Sequence, residues 1–521
     1  MATSTTEDET TNPLEYVVEY FPTGTAEGDR DILDKVFIYA QEFKQVISPP
    51  KASPHLLVGT KGSGKTAVLN FSTRMLDGQG IPNIILTPFD IDSTGMSQTS
   101  STGDLARSFY EKLMDSIIAK LSASNSGLFD GDYAKLYHYS VEKGDRPADF
   151  FTKGTKFIAE LAKPIAKIDI ATAFPHLTSS TQREVEAAVK RTVGKKGFYL
   201  FIDDTDQVGQ PGVAGHLNRV WALLLAVRKL TYDITDLKAV VSLRTEVWNR
   251  LQRDDYGQRD QTDHFRRLVV MMHGDREHVG KIVDRRFALA AVASKAKVDG
   301  YQQFFEGSDA RAPMSEERRV WRDLVLVRTR ERPRDAIQLI NELAKKSMDE
   351  NKEKITEDVF QSVIPPFSKS VSEQFAEEVR QEFPQAIEYF KSLANANFSQ
   401  GGFTMTAEEA REHFKKTLSR YPAVMSGVSL GQESPESVFT IWRFFYQSGI
   451  LNARVSDSSM PAGFRHLDPN SDPHLVSRTR WNDLQAILWE VNTVYRDYLI
   501  EVQKDLSLRT GLAQKPKRRR R

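Results

Sequence analysis

The chain has 521 residues, too many for one ordinary core, so two to four domains are expected. Hydrophobic residues make up 40% and charged residues 27%, the balance of a globular chain; the net charge of +1 excludes a general polyanion binder and leaves only local basic patches for nucleic acid. Cysteine is absent, which excludes disulfides, thiol catalysis and cysteine-held zinc and fits a reducing cytosol.

Residues 1–28, opening Met1-Ala2-Thr3-Ser4-Thr5-Thr6-Glu7-Asp8-Glu9, read as a disordered N-terminal tail without the basic-then-apolar order of a secretory signal. No stretch reaches the roughly 20 apolar residues that span a bilayer, so a cytoplasmic protein with no membrane segment is expected. Leu33, Val36, Phe37, Ala40 and Phe43 recur at helical spacing and predict a helix before the first strand. That strand is the apolar run His55-Leu56-Leu57-Val58.

Gly59-Thr60-Lys61-Gly62-Ser63-Gly64-Lys65-Thr66 then fills every specified position of G-x-x-x-x-G-K-[ST], and a helical pattern follows. Glycines allow a tight turn whose N–H groups converge on phosphate oxygens, with the positive end of a helix behind them. Lys65 is expected to reach the β- and γ-phosphates, and the Thr66 hydroxyl to bind Mg²⁺. A second strand is read at 82–89, a long helix from Leu105 to Leu121, and an insertion at about 123–180.

Phe198-Tyr199-Leu200-Phe201-Ile202 is a buried strand that ends in Asp203-Asp204-Thr205-Asp206, a Walker B pattern. Strand ends of a parallel sheet meet at the ligand edge, so Asp203 is placed for Mg²⁺ and Asp204 to orient or deprotonate the attacking water. Asp206 reads as a cap for a helix near Val213. The strand Leu237–Leu243 ends at Arg244, a position for a γ-phosphate sensor or for a structural pair with Glu246 or Asp203. A last strand is read at Leu268–Met272 and a helix from about Asp275 to Lys295. Arg328, Arg330, Arg332 and Arg334 crowd the start of the next amphipathic helix. Arg332 and Arg334 are therefore either anion-facing groups, a second sensor or a finger for a neighbouring subunit, or parts of a salt-bridged cap with Asp335.

The C-terminal third is mostly helical in pattern. Thr406-Ala407-Glu408-Glu409 fits a capping box, and helix, helix and a short strand pair to Leu467 outline a winged helix with sparse basic residues (Lys415, Lys416, Arg420 and Arg443). Lys515-Pro516-Lys517-Arg518-Arg519-Arg520-Arg521 is a cationic run suited to polyanions or to solvation alone.

Taken together, the glycine loop, the Asp203–Asp206 strand end, Ser242-Leu243-Arg244 and Arg332-Pro333-Arg334-Asp335 resemble bacterial P-loop ATPases of the ASCE branch, related to AAA, STAND and KAP proteins and often tied to anti-phage defence. The resemblance implies an α/β P-loop NTPase core with a parallel sheet and helices on both faces, then a helical lid and a C-terminal winged-helix-like domain. The boundaries expected are 1–28 tail, 29–272 core, 273–365 lid, 366–505 winged-helix-like domain and 506–521 basic tail. It implies ATP and Mg²⁺ as ligands, self-assembly into a homo-oligomer, a partner effector protein, and ATP hydrolysis. The alternative is an ATP-gated DNA-binding protein of the initiator or loader type. Asp204 stands where AAA proteins usually carry Glu; being shorter, it implies slow hydrolysis or a nucleotide-gated switch.

Overall fold

A computed structural model of the chain describes residues 12–39, 41–91, 101–123, 131–142, 182–208, 215–253, 265–272, 274, 276–295, 300–313, 317–460, 462–469 and 471–509. The chain divides into two compact units. Leu33–His273 forms one; Met1–Ile32 and Gly274–Arg521 form the other.

The first unit is built on a five-stranded sheet, β1 (His55–Gly59), β2 (Asn83–Leu86), β3 (Phe198–Ile202), β4 (Leu237–Arg244) and β5 (Val269–Met271), in the order β2-β3-β4-β1-β5. Every pairing is parallel. Parallel strands joined through crossover helices are covered on both faces, which explains why these strands read as unbroken apolar runs. Alternation survives inside the runs. Phe198, Leu200 and Ile202 of β3, Leu56 and Val58 of β1, and Ala239, Val241 and Leu243 of β4 join one core, with the helices Thr102–Ser122, Gln182–Lys196 and His216–Asp233. Tyr199, Phe201, Leu57 and Val240 turn to the opposite face, where Val68, Leu69 and Leu76 of the helix Lys65–Gly78 cover them. The sheet places β4, which follows β3 in sequence, between β1 and β3, as expected for the branch with an added strand.

Gly131–Glu142, within the expected insertion, is a helix that packs on Thr102–Ser122 and Gln182–Lys196. Residues 124–130 and 143–181 lie outside the described residues. The single helix expected from Asp31 to Gln45 is two short ones, Leu33–Val36 and Gln41–Val46.

The second unit corrects the reading of the N-terminus. Residues 1–11 lie outside the described residues, but Pro13–Tyr20 is a helix, capped by the Asn12 side chain on Leu14 N and started by proline at its first position. Leu14, Val17 and Phe21 are fully buried, and the helix packs against Arg276–Ala293 and Pro333–Asp349. Asp29, placed by sequence in the core domain, belongs here too: its carboxylate pairs with Arg286, which also donates to Tyr20 O at 2.6 Å. The expected boundary at 365/366 falls inside one continuous helix, Glu357–Val379, which carries Pro365 and Pro366 in its interior. Two interior prolines are a break signal by propensity; here Val363, Ile364, Phe367 and Val371 bury one face, and packing overrides it. Likewise the last helix, Thr493–Arg509, runs past the boundary set at 505/506.

Beyond that helix the order is helix Ala386–Ser392, strand Thr404–Met405, helix Ala407–Arg420, helix Pro435–Gln447, and strands Leu451–Ser456 and Phe464–Leu467. Thr406 and Glu409 form the capping box in both directions, with Thr406 N donating to Glu409 Oε2 at 2.8 Å. A further strand, Leu488–Val491, separates Thr404–Met405 from Leu451–Ser456 in a four-stranded antiparallel sheet.

Candidate nucleotide site

Lys65, Asp203, Asp204 and Arg244 meet at one edge of the first unit, because β1, β3 and β4 all end there. Gly59, the last residue of β1, sits opposite Arg244, the last of β4. The loop Gly59–Thr66 leaves β1 and turns on itself through Ser63 N donating to Thr60 O at 3.2 Å. Gly62 at φ +80° and Gly64 at φ +97° take backbone angles that other residues adopt at a cost. A Cβ built on Gly59 would fall 2.6 Å from Ser63 Oγ, so glycine is required where the loop closes over the strand. Lys65 begins the helix and is buried; its ammonium donates to Gly59 O at 2.8 Å and Thr60 O at 3.0 Å. Burial pushes the Lys65 amine below its ordinary pKa, while the carboxylates Glu246, Asp206 and Asp203, in falling order of influence, act the other way. Thr66 occupies the second position of the helix, and Lys61 lies within the loop.

Asp203 is buried at the end of β3, and two donors fix its Oδ1: the Ser242 hydroxyl and Asp204 N, the latter at 2.9 Å. Ser242 Oγ also accepts from Asp204 N at 3.1 Å, and Ser242 O accepts from the Thr205 hydroxyl. Asp204 therefore starts a tight turn with φ +49° and a side chain open to solvent at its rim. Lost hydration, and after it the like charges of Asp203 and Asp206, push its carboxyl above the usual aspartate range.

The helix start expected near Val213 lies outside the described residues; the described helix begins at His216 with Gly215 as its cap, and the Asp206 carboxylate takes Arg244 Nε at 2.8 Å. This ion pair joins the two strand ends and settles the structural alternatives for Arg244, neither of which named Asp206. His216 Nε2 donates to Asp206 O at 2.7 Å and braces the same turn; burial lowers the pKa of its imidazole.

Four polar atoms here are buried with no hydrogen-bond partner: Ser63 Oγ in the loop, His216 Nδ1 beside the Asp206 turn, and Thr245 Oγ1 and Glu246 Oε2 just past Arg244. Leaving such groups unmade costs about 1–3 kcal/mol each. The edge also gathers four carboxylates, Asp203, Asp204, Asp206 and Glu246, against two cations, Lys65 and Arg244. A phosphate-and-cation ligand would satisfy both imbalances. Among the described residues no group of three or more metal-ligating side chains comes together, so a divalent cation would draw most of its ligands from phosphate and water.

Arg334, the remaining sequence-predicted site residue, has a buried Nε with no hydrogen-bond partner. It belongs to the other unit, in the first turn of Pro333–Asp349, where its backbone O lies 2.8 Å from a Cβ built on Gly24. Its neighbours favour the structural reading. Arg330 and Asp335 form a buried bidentate pair at 2.7 and 3.0 Å, Arg332 faces Glu378 at 3.5 Å, and Arg328 pairs with Asp497.

The expected DNA-reading elements are also partly enclosed. The helix Pro435–Gln447 buries Val438, Phe439, Ile441, Trp442, Phe444, Phe445 and Tyr446. Residues 468–487 hold it: Arg443 donates to Val476 O at 2.7 Å, Gln447 to Pro473 O at 2.5 Å, and Phe439 packs on Trp481. Lys415, Lys416 and Arg420 lie exposed on Ala407–Arg420. Lys416 and Arg420 flank a cavity of about 640 Å³ whose other wall carries Glu501 and Asp505, so it is not uniformly cationic. The cationic run 515–521 lies outside the described residues. Among the described residues no helix is long and apolar enough to cross a membrane.

Residues 278–376 match the family model described as the FunZ-associated C-terminal helical domain. No curated protein sequence matches the chain. Among solved structures, the chain is similar to Cdc6p from Pyrobaculum aerophilum, at 12% identity over 98% of this chain and 97% of that one, with a TM-score of 0.30. It is similar to the Aeropyrum pernix ORC1 protein in complex with DNA, at 14% identity over 96% and 98%, TM-score 0.33. The Aeropyrum pernix ORC2 protein, described as ADPNP-ADP complexes, is similar at 9% identity over 90% and 91%, TM-score 0.39.

Proposed function

We propose that this chain is an ATP- and Mg²⁺-dependent regulatory ATPase whose nucleotide state governs self-assembly or a partner effector protein, with a role in anti-phage defence as one setting for it. The observation that carries this reading is the shared edge of β1, β3 and β4, where Lys65 lies in its glycine loop with Asp203, Asp204 and Arg244.

The loop Gly59–Thr66 would take the phosphates on its N–H groups and on the orphaned Ser63 hydroxyl. Lys65 would leave Gly59 O and Thr60 O for phosphate oxygens and offset their charge. Thr66 and Asp203 would hold Mg²⁺, which when bound neutralises charge on the phosphates. Asp204 occupies the motif's place for the acid that orients the water. Arg244 would exchange Asp206 for the γ-phosphate, which makes the ion pair a sensor of nucleotide state. The test is the particle mass with and without ATP and Mg²⁺, read beside phosphate release. Nucleotide-dependent mass with turnover supports the reading; intact turnover in Lys65→Ala overturns it.

The alternative, an ATP-gated DNA-binding protein, has the exposed Lys415, Lys416 and Arg420 in its favour. DNA binding that vanishes on deletion of 515–521 and ignores Arg443→Ala would locate any affinity in the tail.

A further inference from the structure

We propose that Glu246, which no motif designates, is the carboxylate that orients and deprotonates the attacking water, and that Asp204 is secondary to it. The assignment rests on the ATPase reading above.

Glu246 opens the helix Thr245–Arg253 two residues after Arg244. Because Arg244 pairs in register with Gly59, the first turn of this helix emerges beside the start of the phosphate loop, and the helix packs against β1. Of the carboxylates acting on the Lys65 ammonium, Glu246 is the strongest, ahead of Asp206 and Asp203. Glu246 thus lies on the element that follows β4, at the sheet edge where β1 gives way to the phosphate loop. Glu246 Oε2 is buried and without a hydrogen-bond partner, and among the described residues no other carboxylate oxygen is in that state. A protein keeps such an oxygen at a cost unless something uses it.

Asp204 is the poorer base on position. Its N–H is committed to Asp203 Oδ1 and Ser242 Oγ, its turn is held at φ +49°, and its side chain faces solvent. It is also one methylene shorter than the glutamate usual at that place. Glu246 supplies the longer acid from the neighbouring strand end.

In the step itself the water oxygen bonds to the γ-phosphorus as the bond from phosphorus to the β,γ-bridging oxygen breaks. ADP leaves with that electron pair, and Glu246 Oε2 takes the water proton and returns it to phosphate or solvent.

The experiment uses the full chain with Glu246→Gln, Glu246→Asp and Asp204→Asn. It reads the affinity for a ribose-labelled fluorescent ATP, single-turnover phosphate release, and the thermal midpoint. Glu246→Gln should bind nucleotide within about threefold of the parent and lose about 100-fold or more in phosphate release, the size expected for a lost general base. Glu246→Asp should recover part of the loss, and Asp204→Asn should lose less than about tenfold. If Glu246→Gln fails to fold, Glu246→Asp against Asp204→Asn decides. Release in Glu246→Gln within threefold of the parent overturns the proposal. So does an affinity loss as large as the loss in release. A parent chain that binds ATP without hydrolysing it removes the role of Glu246 and leaves nucleotide binding standing; a parent that binds no ATP takes both readings down.

Discussion

Two clusters of charged residues, one at the end of β4 and one at the start of Pro333–Asp349, differ in how their charges are matched. At the edge of the first unit, Arg244 holds one carboxylate while buried oxygens of Ser63, Thr245 and Glu246 go unpartnered nearby. At the start of Pro333–Asp349, Arg328, Arg330 and Arg332 are each matched to an acid, and burial that would raise Asp335 is outweighed by the Arg330 fork and Arg332, which hold its carboxyl below the usual range. Three nitrogens of that cluster, Arg328 Nε, Arg330 Nη1 and Arg334 Nε, are also buried without a hydrogen-bond partner, so what sets the first edge apart is an acidic oxygen, Glu246 Oε2, in that state.

The contrast breaks most sharply at Lys65. Lys65→Ala should cost at least about 100-fold in ATP affinity or phosphate release, because it removes the cation that the glycine loop itself offers to the terminal phosphates. If release is unchanged, the edge is not a catalytic one. Next in size is Asp335→Ala, which strands the buried Arg330 and should cost about 3–5 kcal/mol of stability by denaturant unfolding. Its sign with pH follows from a folded pKa below the ordinary 3.8: the contribution is present above that value and lost as pH falls through the folded one. Asp335→Ala should therefore flatten the acid limb of the stability profile.

A smaller effect sharpens the other side. Arg244→Ala and Asp206→Ala, alone and together, should show a coupling of about 1–2 kcal/mol in unfolding of the nucleotide-free chain. Adding ATP should shrink that coupling, since Arg244 then has a second anion. Coupling that ATP leaves untouched would make the pair purely structural. The smallest effect belongs to Asp204→Asn. A carboxyl whose folded pKa is raised gives stability below its unfolded pKa and loses it as pH rises through the folded value. Near pH 7 the variant should be more stable by about 1 °C in thermal midpoint, a gain limited by solvent at the exposed rim and absent below about pH 4.

What the sequence disclosed follows from how local each feature is. The glycine loop, β3 with its acids and the Thr406 box are contiguous, so residue order alone reports them. The Asp206–Arg244 pair joins residues on two strands, and only the parallel register brings them together. Glu246 was legible merely as a possible partner of Arg244, because its orphaned oxygen is a property of burial. The helix Pro13–Tyr20 was lost behind the threonine- and acid-rich start, although Asn12-Pro13 and the spacing of Leu14, Val17 and Phe21 signalled it. The continuation of Glu357–Val379 through two prolines had no local signal at all.

That early helix has a consequence for biosynthesis. Leu14, Val17 and Phe21 leave the ribosome well before the residues they pack against, which begin about 250 positions later. At about 5–20 residues per second, the amphipathic segment stays uncovered for tens of seconds while the sheet unit is translated and can close by itself. Nascent chains halted after β5 has cleared the ribosome, but before Arg276–Ala293 and Pro333–Asp349 have, should thus carry the sheet unit and a greasy segment still in search of its cover.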